Sequence, residues 1–257
     1  MENEGILSLK SFLDEKTEQY NQPQFIETDP IQIPHRFSQK EDIEIAGFLS
    51  ASIAWGNRKS IIKNAEKMLH LLDESPYDFV INHSEKDLQK IRGSIHRTFN
   101  AEDLKFFISS LKNIYLNHNG LENVFSAQKN ETDTFGAIDR FRKIFFEIPY
   151  PERTQKHISN PAKGSSAKRL NMFLRWLVRK DQKGVDFGIW NSLLPAQLVC
   201  PLDVHSGRVA RSLGLLKRKQ NDRKAALELK QNLALLDPKD PAKYDFALFG
   251  LGVFEKF

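Results

Sequence analysis

"KRLNMFLRWLVRKD", residues 168–181, carries two patterns at once. Leu170, Phe173, Leu174 and Leu177 fall on one stripe at the helical period, and Lys168, Arg175 and Arg179 fall on the opposite face. The stretch decides the fold class because its period recurs along nearly the whole chain. No segment alternates apolar and polar residues over five or more positions, as a half-buried strand would. The expectation is an all-α protein of two helical lobes, with a cleft between them.

Helix starts are marked by an oxygen-bearing cap three residues ahead of an acid: Ser38 with Glu41, Ser84 with Asp87, and Asn100 with Asp103. Ser75-Pro76 and Asn57 look like further starts. The spacing predicts helices over 4–20, 39–55, 58–73, 76–82, 84–92, 101–117, 133–147, 166–180, 187–194, 204–216, 222–236 and 240–250. Irregular stretches at Gln22–Phe37 and Pro149–Ser165 suggest lobes of 38–150 and of 1–37 plus 151–257.

At 257 residues and 40% hydrophobic content the chain can bury a sizeable core. Ala46–Trp55, the longest nearly uncharged apolar run, is about half of what a bilayer-spanning helix needs, and the polar N-terminus does not look like a secretory signal. A soluble cytoplasmic protein is expected, with no membrane contact. The single cysteine, Cys200, allows no internal disulfide, no four-cysteine iron–sulfur cluster and no zinc ribbon. The seven histidines show no metal-ligand spacing, so neither metal nor cofactor is expected.

The net charge of +5 is uneven. Residues 151–257 hold 20 Lys+Arg against 10 Asp+Glu, which leaves 18 against 23 of the chain's 38 and 33 for residues 1–150. The basic part suits a polyanion, with nucleic acid the commonest candidate; an acidic protein partner or a plain solvated face are the alternatives.

Gly164-Ser165-Ser166-Ala167-Lys168 opens the quoted helix, with Ser165 or Ser166 placed to cap it and Lys168 in its first turn. The unpaired N–H groups there carry partial positive charge, which favours an anion and biases a lysine toward the neutral, nucleophilic amine. Thirty-five residues on, "PLDVHSGRVARSLGLL" (201–216) places Asp203 to cap the next helix, which carries Arg208 and Arg211.

Together the two motifs resemble the helix-hairpin-helix DNA glycosylase superfamily. In that superfamily a G-x-G-x-K hairpin leads into a helix carrying a nucleophilic lysine, and a P-x-D-x-x-x-x-R-x-x-x-x-x-G segment supplies an aspartate. Gly164 and Lys168 match the first form, with Ser166 in place of the second glycine; Pro201, Asp203, Arg208 and Gly214 match the second. The motif spacing is nearest to the archaeal 8-oxoguanine DNA glycosylases, and the likeness covers residues 160–252. Through "GSSAKRLNMFLRWLVRKD" (164–181), "PLDVHSGRVARSLGLL" and "DPKDPAKYDFALFGLG" (237–252) nearly the whole chain is also similar to a conserved bacterial family of unassigned function.

The superfamily resemblance implies a repair glycosylase with lyase activity, a monomer acting on double-stranded DNA with a damaged purine such as 8-oxoguanine. Lys168 would be the nucleophile and Asp203 the catalytic carboxylate. Gly164, Ser165, Ser166, Ala167, Arg169, Arg175, Arg179, Arg208 and Arg211 would hold phosphates, and Trp55, Phe48, Trp176 and Trp190 are candidates to line the base pocket. The alternative is a non-catalytic DNA-binding protein that keeps the fold.

Overall fold

The computed structural model describes residues 2–257, with side chains from residue 4 onward. It is 63% helix and 3% strand, an all-α protein. The first stretch holds α1 (Glu2–Ser8), α2 (Lys10–Tyr20) and α3 (Gln24–Thr28). Next come α4 (Lys40–Ser52), α5 (Arg58–Leu71), α6 (Pro76–Asn82), α7 (Glu85–Lys90), α8 (Ala101–Asn117), α9 (Gly120–Phe125) and α10 (Phe135–Phe145). The last part holds α11 (Lys168–Val178), α12 (Val204–Ser212), α13 (Arg223–Leu236) and α14 (Asp245–Val253). Between α7 and α8 a hairpin of β1 (Ser94–His96) and β2 (Phe99–Asn100) pairs antiparallel. Its strands are too short for alternation to show in the sequence.

Two compact units emerge. The first comprises the chain up to Phe25, Ala127–Gly136 and Asn160–Phe257; the second comprises Ile26–Ser126 and Ala137–Ser159.

In the first unit α14 packs on α2 and α12. Two glycines permit the approach: a Cβ at Gly250 would stand 2.1 Å from the Tyr20 ring, and one at Gly252 would stand 3.1 Å from His205 Cβ. α11 is buried all round, with every residue from Leu170 to Val178 in the interior.

The helix expected over 187–194 does not form. The Phe187 and Trp190 amides donate to the Trp176 and Leu177 carbonyls, at 2.8 and 2.9 Å, so the segment runs along the end of α11 and satisfies its last turn. Gly188 sits in the left-handed region at φ 55°, with the Lys180 backbone 2.8 Å from where its Cβ would be, which a helix would not allow. The apolar residues of this stretch are anchors. Trp190, for instance, meets Phe173 edge-on at 5.4 Å.

In the second unit, α4 is buried from Ile43 to Ser52. Phe48 contacts Phe107, Phe141 and Phe145 at ring distances of 5.4–5.6 Å. The expected caps Ser84/Asp87 and Asn100/Asp103 both form two-way boxes, and Asn57 caps α5 by accepting from the Ser60 amide. α4 departs from expectation: it starts after Gln39 with no side-chain cap, so Ser38 does not serve.

Candidate active site

The approach to α11 is a tight hairpin. Asn160 caps a single 3-10 turn over Pro161–Lys163, accepting from the Lys163 amide at 3.2 Å, and Gly164 closes the turn at φ 91°. The chain then bridges sideways, with Arg223 N donating to Gly164 O at 2.9 Å and Ser165 paired with Asp222. Neither Ser165 nor Ser166 caps α11. The cap position is Ala167, fully buried, in the left-handed conformation at φ 49°. A non-glycine residue there costs about 1 kcal/mol.

Three of the amides expected to grip a phosphate are spent inside this hairpin: Gly164 N on Pro161 O, Ser165 N on Asn160 O, and Ala167 N on Ser165 Oγ. Ser166 and Ala167 are themselves buried, so of the four hairpin residues only Gly164 and Ser165 reach the surface. The hairpin's hydrogen bonds hold its own shape.

What the hairpin does is aim Lys168, the first residue of α11. Asp203 is the cap of α12, with Oδ1 accepting from the His205 and Ser206 amides at 2.8 and 3.0 Å. Its other oxygen, Oδ2, stands 3.9 Å from Lys168 Nζ. Both side chains are about a quarter exposed, so the pair opens to solvent while its backbone is fixed. The two carboxylate oxygens therefore divide their work, one for the helix and one toward the amine.

Asn221 and Arg211 brace this arrangement. Asn221 Nδ2 donates to the Asp203 carbonyl at 2.8 Å, and Arg211 donates to Asn221 Oδ1 at 2.6 Å and to Arg218 O at 2.9 Å. Arg211 thus holds protein, not a phosphate. Exposed Arg208 spans to the Gly252 carbonyl at 3.1 Å. Arg169 is half-buried, and burial pushes its guanidinium down to about 10.

The cations on the quoted helix face carboxylates. Arg175 is 2% exposed and Arg179 3%. Arg175 meets Asp245 at 2.5 Å and Asp186 at 3.2 Å, with its guanidinium 4.3 Å from the centre of the Phe246 ring. Arg179 meets Asp181, Asp240 and Asp186 at 2.7, 2.8 and 3.1 Å, and these acids raise its pKa. Neither can reach DNA, a correction to the phosphate-binding expectation; an arginine is buried only where paired acids offset its desolvation.

This network touches the candidate pair electrostatically. Burial pushes the Asp245 carboxyl up to about 6; the Asp203 carboxylate adds to the rise, while Arg175 and Lys168 pull it down. Cys200 is buried beside it, its thiol 3.7 Å from Asp245 Oδ1 and held well above the usual thiol range. Asn221 and Asp245 carry no sequence signal as site residues. Asn221 is one polar position in a turn-rich run, and Asp245 is the one acid at the start of the otherwise apolar α14.

The proposed base-pocket residues separate. Trp176 and Trp190 belong to the core of the first unit and Phe48 to that of the second, all at most 2% exposed. A ring sealed on all sides cannot stack on a base, so these three are corrections. Trp55, in the second unit, is half-buried. His96 donates to its carbonyl at 2.9 Å and accepts at Nδ1 from Asn64, and the rings of His96 and His157 lie 4.9 and 5.9 Å from it.

Among the described residues no group of three or more His, Cys, Asp or Glu is placed to hold a metal ion, and no helix is long and apolar enough to cross a membrane. A family model described as "Protein of unknown function (DUF2400)" matches residues 29–254. No curated protein and no solved structure matches the chain.

Proposed function

The chain belongs to the DUF2400 family, whose description assigns no chemistry, and from the geometry of its own side chains we propose a DNA glycosylase with lyase activity, acting on a damaged purine in duplex DNA. The observation that carries this reading is the 3.9 Å approach of Lys168 Nζ to Asp203 Oδ2, at the mouths of two helices and open to solvent.

The chemistry fits those two groups. Lys168, having given up a proton, attacks the sugar's C1′; the Nζ–C1′ bond forms, the glycosidic C–N bond breaks, and its electron pair leaves with the base, which takes up a proton. Opening of the sugar ring gives an imine, from which the 3′ phosphate is eliminated. Positive charge gathers on the sugar as the base departs, and the Asp203 carboxylate stabilises it; a fixed charge of this kind is worth a factor of about 10²–10³ in rate. The Asn221–Arg211 brace keeps Asp203 in place through its main chain. Because C1′ is out of reach in a duplex, the nucleotide has to be flipped out.

The test is base release. Duplexes each holding one damaged purine, 8-oxoguanine first, are incubated with wild type and with Lys168→Gln. Free base followed by strand scission from wild type, and neither from the variant, is the expected result. Sequence-independent DNA binding without base release from any lesion would instead identify a binding protein.

A further inference from the structure

The second unit carries a trough with no part in the chemistry above. It runs in two adjoining sections around the β1–β2 hairpin, about 600 and 460 Å³, which share Gly93, Ala101 and Glu102 in their walls. One section is lined by Arg92 and Lys105, the other by Arg97, Arg153 and Lys156. Three of these cations, Arg92, Arg97 and Lys105, lie in residues 1–150, whose net charge is negative, so composition hides them.

The cations differ in what they do. Arg153 is committed to the fold, donating to Asp103 at 2.5 Å, to Asn100 at 2.8 Å and to the Thr98 carbonyl at 3.0 Å. It pins the hairpin to the start of α8. Arg97, Lys105 and Lys156 are paired with no carboxylate among the described residues, and Arg97 and Lys156 are exposed. Arg97 holds the left-handed conformation at φ 52°, unusual for a residue with a side chain. Backbone strain of this sort persists only where its surroundings fix it. Here Gly56 makes room: a Cβ at that position would stand 2.5 Å from Arg97 Nη1, so the guanidinium lies against the residue next to Trp55.

The other wall is apolar. Pro149, Pro151 and Phe106 line it, and Tyr150, the residue between the two prolines in the chain, is 37% exposed at its edge, its ring 4.9 Å from Phe146 and 6.0 Å from Phe106. A supported aromatic face beside a row of unpaired cations is what an unpaired nucleic-acid strand requires, phosphates along the charges and a base on the ring. An acidic peptide would use the charges, but its carboxylates have no need of an aromatic ring beside them.

We propose that this trough binds a single nucleic-acid strand, with phosphates on Arg92, Arg97, Lys105 and Lys156 and a base stacked on Tyr150. The proposal deepens the partner half of the proposed function and rests on it, while owing nothing to Lys168.

The experiment is fluorescence anisotropy with a labelled 12-nucleotide single strand over a salt series. The proteins are wild type, Arg97→Glu/Lys156→Glu, Tyr150→Ala, and Lys224→Glu/Lys239→Glu as a charge-matched change on exposed residues of the first unit. Wild type is expected to bind with an affinity that falls steeply with salt. The Arg97/Lys156 double variant should lose at least tenfold and flatten the salt slope by about 1.4, the share of two phosphate contacts. Tyr150→Ala should lose about tenfold, within the range for one stacked base. The control should lose less than threefold, and circular dichroism should show every variant folded. The proposal is overturned if the Arg97/Lys156 variant binds like wild type, if the control loses as much, or if polyglutamate competes as well as an oligonucleotide. A wild type that binds no nucleic acid and releases no base removes the proposed function as well, whereas binding that the trough variants leave intact removes only this inference.

Discussion

The Arg175 guanidinium and the Asp245 carboxylate meet at 2.5 Å in the interior of the first unit, on a helix face whose sequence pattern suggests solvent. The contact converts what reads as a cationic surface into part of the core. It also sets the cost of breaking it: Arg175→Leu leaves Asp245 and Asp186 buried without that partner, and loss of one member of a buried pair costs about 3–5 kcal/mol. Denaturant unfolding at neutral pH should show a loss of that size. A loss under about 1 kcal/mol, typical of a surface pair, would mean that the arginine is solvated.

Asp245 should make stability depend on pH in an uncommon direction. Its folded carboxyl titrates at about 6 against an ordinary 3.8, so between those values the folded chain holds a proton that the unfolded chain has released. Stability from this group is then lost as pH rises through the window, by about 3 kcal/mol in all, since each tenfold change in proton affinity is worth about 1.4 kcal/mol. The measurement is the stability difference between wild type and Asp245→Asn at pH 4 and 6.5. Wild type should lose ground on the variant across that range. A flat difference, or one that grows in favour of wild type, contradicts the assignment.

Asp203 has two duties that substitution can separate. Asparagine caps a helix about as well as aspartate, while alanine gives up about 1 kcal/mol. Asp203→Asn should therefore stay within about 0.5 kcal/mol of wild type in thermal unfolding, and Asp203→Ala should fall by about 1 kcal/mol. Base release under single-turnover conditions should drop about 10²–10³-fold in both, because both lack the charge that steadies the sugar cation. If Asp203→Asn releases base at the wild-type rate, the carboxylate is a cap and nothing more.

Local signals in the sequence carried far. The caps at Ser84, Asn100 and Asp203 are legible because their partners lie within three residues, and so are most helices, because the apolar period is strong. Lys168 and Asp203 could be named, but the 3.9 Å between their end groups could not, since it depends on how α11 and α12 pack. Tertiary partners hid the rest. Arg175 and Arg179 look like surface residues until Asp186, Asp240 and Asp245 arrive from other segments. The run around Trp190 has helical spacing, yet its amides are taken by the end of α11. Three hairpin amides, which the glycine-rich motif offers to an anion, are used by the hairpin itself.

Attack of Lys168 on the sugar carbon is the decisive step of the proposed reaction, and covalent trapping reports on that step alone. Wild type, Lys168→Gln and Asp203→Asn are each incubated with a duplex holding an abasic site and then with one holding 8-oxoguanine, in the presence of borohydride, and the products are digested and weighed. A reduced protein–DNA adduct is expected for wild type, with the added mass on the peptide containing Lys168, and none for Lys168→Gln. An adduct that survives Lys168→Gln or maps to another amine, or no adduct on either duplex, would contradict it.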